Sequence, residues 1–140
     1  MYELETSRKV EFADTDMAGI MHFARFGIFM ETAEHEFLEA IGAPIHQRFD
    51  GLEIGWPRVK VSLEFRRPAY FRDVIDIRLR VLRKGRSSMT YGFLFSRNGE
   101  ELARGEVKTA CCVIRKGGGL DAIPIPDSIA DAIEEAEESE

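Results

Sequence analysis

Between about Met21 and Ile41 the chain repeats bulky apolar residues at helical spacing, and no other stretch limits the fold so tightly. Phe26, Phe29, Met30, Ala33, Phe37 and Ile41 fall on one stripe, which Phe23 and Leu38 widen. Glu34, Glu36 and Glu39 lie off it. Gly42 follows the last apolar position and Pro44 comes two residues later, which together stop a helix. Three phenylalanines and a methionine on one face of one helix need a broad apolar surface to cover them.

The residues that follow can supply that surface. Val59, Val61, Leu63 and Phe65 alternate with Lys60, Ser62, Glu64 and Arg66, the pattern of a half-buried strand. Ile75, Ile77, Leu79 and Val81 repeat the alternation after a break at Pro68-Ala69. Lys84-Gly85-Arg86 is a turn, and Met89, Tyr91, Phe93 and Phe95 give a third strand. Asn98-Gly99 is a hairpin signal leading into a fourth strand from about Glu101 to Ile114. Ahead of the helix, Tyr2–Ala13 reads as a strand with broken alternation. Ala43–Gly55 reads as a loop with a turn at Asp50-Gly51. Gly117-Gly118-Gly119 is a connector without the spacing of a phosphate loop. A short helix opens near Pro126, capped by Asp127 or Ser128, with Ile129 and Ile133 on its apolar side, and Glu134–Glu140 is expected to be a frayed tail.

One helix and one antiparallel sheet that bury each other make an α+β layer arrangement. The 140 residues fit a single domain, 1–140, with residues 121–140 as an acidic C-terminal extension. A sheet of about five strands is larger than one helix covers, and its edge is free to pair. A dimer is therefore expected.

Charge narrows the partners. The net charge of -6 conceals an uneven distribution, because residues 121–140 hold eight of the 25 acids and no Lys or Arg. The other 120 residues carry 17 acids and 19 bases, and Arg66–Arg86 alone has eight bases against two acids. A local basic stretch on a nearly neutral body suits an anionic small molecule and is too weak for general nucleic-acid binding. No apolar run approaches the roughly 18 residues of a membrane span, and the acidic, alternating N-terminus is not a secretory signal. A cytoplasmic location is expected. Cys111 and Cys112 are adjacent, with no spacing suited to zinc, and read as buried thiols.

Chemistry points to the stretch before the helix. Asp14 and Asp16 end the first strand, Gly19 makes a turn, and helical periodicity begins within a few residues. Free backbone N–H groups at a helix start can stabilise an anion. From the residues alone, the pair reads first as a strand-ending turn with helix capping.

Glu11-Phe12-Ala13-Asp14-Thr15-Asp16-Met17-Ala18-Gly19-Ile20 closely resembles the signature of hotdog-fold acyl-CoA thioesterases of the 4-hydroxybenzoyl-CoA thioesterase type. Phe65-Arg66-Arg67-Pro68-Ala69-Tyr70-Phe71-Arg72-Asp73 resembles that family's link between the first two strands after the helix, and Gly85-Arg86-Ser87-Ser88 its next turn. The resemblance spans roughly residues 5–115. It implies a hotdog fold, with a five-stranded antiparallel sheet wrapped around one long central helix. It also implies a homodimer paired through the strand around Val59–Phe65, often doubled to a homotetramer, with active sites at the dimer interface.

The implied reaction is hydrolysis of an acyl-CoA to the free acid and CoA. Asp16 is then either the nucleophile, through a mixed anhydride, or the base for water. The backbone amide of Phe23 polarises the thioester oxygen, and Gly19 admits close approach of substrate. Thiols have a pKa of about 8.5, so the leaving group needs little acid assistance. No metal or cofactor is needed. His22 stands one residue before the family's usual histidine, and is either a substrate contact or a helix-start residue bonded to backbone. Glu31 either orients water or is a partly buried, hydrogen-bonded side chain. Arg83, Lys84, Arg86 and Ser87 are candidates for the phosphates of CoA. Phe26, Phe29, Met30 and Trp56 are candidates for the acyl pocket. Asp14 is structural, and His35 and His46 are surface or capping residues. The alternatives are a non-catalytic acyl-CoA-binding module and a thioesterase acting on acyl carrier protein.

Overall fold

A computed structural model describes residues 1–45, 48–49 and 51–137. The apolar stripe forms α1 (Phe23–Ala40), and Phe26, Phe29, Met30, Ala33, Phe37 and Leu38 are all buried. The helix ends as its sequence requires. Gly42 adopts φ +81°, the Gly42 N–H bonds the Glu39 carbonyl and the Ala43 N–H bonds the Leu38 carbonyl, a Schellman closure.

The stripe packs on a five-stranded antiparallel sheet. Its strands are β1 (Glu3–Lys9), β4 (Arg58–Phe65), β5 (Val74–Lys84), β6 (Ser88–Arg97) and β7 (Glu100–Ala110), in the order β1-β5-β6-β7-β4. Inward residues alternate as expected on β5 and β6, where Ile75, Ile77, Leu79, Val81, Met89, Tyr91, Phe93 and Phe95 join the helix in one core. Asn98 and Gly99 are the two central residues of the β6–β7 hairpin and have φ +51° and +80°, as a type I′ turn demands.

Several elements differ from the sequence reading. β1 stops at Lys9; Val10 is buried, and Phe12–Asp14 is a 3-10 turn with Phe12 exposed. The segment read as a loop after the helix contains β2 (Arg48–Phe49) and β3 (Leu52–Gly55). The expected turn at Asp50-Gly51, like His46 and residues 138–140, lies wholly or partly outside the described residues. The fourth predicted strand breaks at Cys111, whose N–H bonds the Ser87 carbonyl, and resumes as β8 (Cys112–Ile114) in a second sheet. That sheet has the order β2-β3-β8-β9, with β9 (Leu120–Ala122) joined to β8 through the triple glycine, all three residues at positive φ. The break lets both cysteines be buried as free thiols, which an unbroken strand would have faced oppositely.

The short helix α2 (Asp127–Ala130) has Pro126 at its N-cap, and neither Asp127 nor Ser128 caps it; a proline presets the entry φ instead. Residues 134–137 are not frayed. The Glu134 N–H bonds the Met1 carbonyl, the Ala136 N–H bonds the Val81 carbonyl, and Arg80 donates to the Glu137 carbonyl. Lys84 Nζ fixes the same extension by donating to the carbonyls of Ala130 (3.0 Å) and Ile133 (2.9 Å). Replacing Lys84 with Met leaves those carbonyls without their cation. It should lower stability by on the order of 1 kcal/mol, read as a fall in the thermal midpoint of a few degrees by circular dichroism.

Candidate active site

The acid loop is built by backbone bonds. The Gly19 N–H bonds the Asp16 carbonyl and the Asp16 N–H bonds the Ile20 carbonyl, both at 3.0 Å, so residues 16–20 close a tight hairpin. Gly19 sits at φ +80° with open space where a side chain would point, so its backbone conformation alone calls for glycine. Asp16 is exposed, and its Oδ1 accepts the Ala18 N–H at 2.8 Å, an Asx turn that orients the carboxylate. A bridge between Thr15 and Met21 clamps the base of the hairpin, and the Met21 N–H bonds the Ala69 carbonyl at 2.7 Å.

Asp14 is a brace. It is buried, its Oδ2 accepts the Glu11 N–H at 2.8 Å, and its Oδ1 lies 3.6 Å from Arg25 Nε. Its carbonyl accepts the His22 N–H at 2.8 Å, which ties the acid loop to the helix start. The Pro-Ala-aromatic-Asp segment supplies the opposite wall. Asp73 Oδ2 accepts the Tyr70 N–H (2.8 Å) and Arg97 Nη1 (2.6 Å), and the Phe71 and Phe12 rings meet edge to face. Phe12, Met17, Phe23, Tyr70 and Phe71 leave this end of the molecule markedly apolar at its surface.

His22 is the N-cap of α1, with its Nδ1 accepting the Ala24 N–H at 3.1 Å. Histidine is an unusual cap, and the bond takes one of the four free amides of the helix start. The Arg25 N–H bonds the His22 carbonyl. The Phe23 N–H has no acceptor among the described residues, and its ring lies exposed, stacked on that of His22. An exposed carboxylate and a free helix-start amide thus lie at the two ends of one short, braced turn. Among the described residues no group of three or more His, Cys, Asp or Glu side chains gathers as a metal would need.

The basic stretch is mostly neutralised. Arg66 faces Glu64 and Glu101, Arg67 faces Glu100, and Arg78 and Arg80 share Glu3. Arg72 stacks on Phe71, and Lys84 holds the C-terminal extension. Arg83 and Arg86 are exposed without an ion pair among the described residues, beside the half-buried Ser87.

Of the acyl-pocket candidates, Phe26 and Phe29 belong to the core and Trp56 is buried, while Met30 lines a cavity of about 260 Å³ between α1 and the β4 side of the sheet. Two further residues of that cavity are Glu31, which is exposed 3.5 Å from Arg58, and Glu34. Glu34 lay off the apolar stripe in sequence, yet it is only 1% exposed. Its Oε1 accepts Arg58 Nη2 at 2.8 Å, and burial, opposed by Arg58, pushes the carboxyl up to about 7. The sequence carried no signal for this pair, whose partners are 24 residues apart on different elements.

The family model of the thioesterase-like superfamily matches residues 10–133. The chain belongs to the thioesterase-like superfamily. A 1,4-dihydroxy-2-naphthoyl-CoA hydrolase of Prochlorococcus marinus is 30% identical over 72% of this chain and 70% of its own. A second such hydrolase, from Thermosynechococcus vestitus, is 29% identical over 87% of this chain and 82% of its own. A solved gentisyl-coenzyme A thioesterase superposes with a TM-score of 0.80 at 29% identity, covering 91% of this chain and 99% of its own. The 4-hydroxybenzoyl CoA thioesterase of a Pseudomonas species reaches 0.85 at 20% identity over 94% and 99%, a likeness of fold. The hotdog architecture read from the sequence is thus the architecture of this thioesterase, and thioester hydrolysis is its reaction. No helix among the described residues is long and apolar enough to cross a membrane.

The raised Glu34 carboxyl gives stability a pH dependence. Folding raises its proton affinity, so the folded state holds the extra proton between about 4.5 and 7. Its contribution is complete below that window and is lost as pH rises through it. In urea titrations the wild type should lose on the order of 2 kcal/mol relative to Glu34→Gln between pH 4.5 and 7.5.

Proposed function

We propose that this thioesterase hydrolyses acyl-CoA thioesters with Asp16 as the reacting carboxylate and the Phe23 amide as the oxyanion donor. The observation that carries this reading is the braced turn that presents one exposed carboxylate and one unbonded helix-start N–H. The amide polarises the thioester carbonyl as charge builds on its oxygen. Asp16 then attacks that carbon, or takes a proton from the water that does, and the CoA thiolate leaves without needing an acid. Gly19 shapes the turn that aims the carboxylate, and His22 fixes the helix start from which the amide projects.

Arg83, Arg86 and Ser87 are the proposed contacts for the CoA phosphates, because the other arginines of the basic stretch already face acids or stack. Lys84 has two of its three donors engaged with carbonyls and is left as a long-range positive charge. The same neutralisation of Arg66, Arg67, Arg78 and Arg80 favours a small CoA ligand over docking of an acidic acyl carrier protein. The relatives whose names carry hydroxylated aromatic acyl groups make an aromatic acyl-CoA the first substrate class to screen.

The active unit is proposed to be a homodimer, with tetramers as a further level. β4 is a sheet edge, and its helix-side residues Val59, Val61 and Phe65 are 60%, 51% and 47% exposed although they alternate as a buried face should. A second copy pairing along β4 would cover them and place its sheet against the acid loop.

Asp16→Asn keeps an oxygen to accept the Ala18 N–H, so the turn should persist. Acyl-CoA hydrolysis should nevertheless fall 10²-fold or more, as for loss of a reacting carboxylate, with an unchanged circular dichroism spectrum. Wild-type turnover by that variant would remove Asp16 from the mechanism. Val59→Asp should yield a monomer by light scattering and lose most of the activity. A fully active monomer would refute the shared site.

A further inference from the structure

The C-terminal extension closes on the turn that the proposed function gives to the CoA phosphates. β1 covers the edge of β5 as far as Arg80, which pairs with Glu3, and the Val81 N–H bonds the Tyr2 carbonyl. Beyond that point the extension takes over the edge. The Ala136 N–H bonds the Val81 carbonyl at 2.7 Å, and Glu135 Oε1 accepts the Lys84 N–H at 3.4 Å. Earlier in the extension, the Ile125 N–H bonds the Arg86 carbonyl at 2.8 Å. Residues 125–136 are thus tied to Val81, Lys84 and Arg86 in turn.

A free sheet edge needs its backbone groups satisfied, and that accounts for the bond at Val81. It does not call for a carboxylate at Lys84, where a neutral acceptor would serve the N–H as well. Glu135 brings a full negative charge beside Arg83 and two residues from Arg86 in the chain. That charge is not neutralised locally. Glu135 is exposed and makes no ion pair among the described residues, and the Lys84 ammonium is turned to the carbonyls of Ala130 and Ile133 instead. Residues 121–140 contain no Lys or Arg.

The phosphates of CoA take no part in breaking the thioester. Contacts to them hold substrate, transition state and released CoA alike, so strengthening them lowers KM without raising kcat. The same contacts slow departure of the product, which keeps every phosphate, and product release limits many enzymes. An anion beside the cations of such a turn has a use.

We propose that Glu135 tunes the CoA-phosphate turn, weakening the hold of Arg83 and Arg86 on the phosphates and so speeding release of CoA after hydrolysis. The inference rests on the phosphates lying at that turn. Glu135 acts through charge alone, so only ligands that carry the phosphates feel it. Salt removes the effect, because the Debye length falls from about 8 Å at physiological ionic strength to about 3 Å at 1 M.

Glu135→Gln keeps an oxygen for the Lys84 N–H and removes the charge. By titration calorimetry it should bind free CoA at least threefold more tightly than wild type at low salt, and equally in 1 M NaCl. Its kcat/KM for benzoyl-pantetheine, a thioester without phosphates, and its thermal midpoint should match wild type. Asp76→Asn removes another exposed acid, eight residues from Lys84 along β5 and so roughly 25 Å away, and should leave CoA affinity unchanged. Unchanged low-salt affinity in Glu135→Gln, or equal tightening in Asp76→Asn, overturns the proposal and leaves the phosphate turn standing. The turn itself is tested by Arg83→Ala/Arg86→Ala, which should weaken CoA binding at least tenfold. Wild-type affinity in that double variant moves the phosphates elsewhere, and the role of Glu135 falls with them.

Discussion

The structure depends on a mismatch between one helix and one sheet. α1 carries enough bulk to need a broad apolar cover, and the sheet gives it one. Five strands are nevertheless wider than a single helix, so the cover runs past what it covers. β1, β5, β6 and β7 seat the helix, and β4 is left with an apolar face turned towards solvent. The cavity between α1 and β4, the exposed edge and the buried Glu34–Arg58 pair all lie along that uncovered strip. Where the helix and sheet fit each other the protein is core, and where they do not it leaves a cavity and an exposed apolar edge.

The proposed catalytic end follows from how the helix begins. A helix start has free amides wherever it occurs, and here most of the turn is arranged to keep the first one free. The His22 side chain takes the Ala24 amide, the His22 carbonyl takes that of Arg25, and Asp14 ties the whole to the acid loop. The two carboxylates of one motif divide because their surroundings divide. Asp14 is buried against a backbone N–H and near Arg25, whereas Asp16 projects from a hairpin whose tip is exposed. The bonds of Asp14 fix the acid loop to the helix start, which in the proposed mechanism keeps the Asp16 carboxylate and the Phe23 amide in register.

Charge is similarly divided by context. Eight bases between Arg66 and Arg86 look in sequence like an anion site, but strands β1 and β7 bring Glu3, Glu100 and Glu101 alongside four of them. Alternation told which residues share a face of a strand, and register decides which acids stand opposite. The C-terminal extension was misread for a related reason. Its acidic composition suggests solvation, yet the Glu134 and Ala136 amides bond the Met1 and Val81 carbonyls, and Lys84 holds the carbonyls of Ala130 and Ile133.

The sequence by itself determined the helix, its stop at Gly42, the strands of the main sheet, the Asn98-Gly99 turn and the acid motif. Each of these rests on local periodicity, local backbone preference or a short run of adjacent residues, and all of these are written in order along the chain. Tertiary structure alone decided the break at Cys111, the second sheet, the burial of Glu34 and the role of Lys84. Those features come from what lies opposite a residue in space. Glu34 reads as a surface acid until β4 brings Arg58 across it. Periodicity states which face a residue occupies, and only packing states what that face meets.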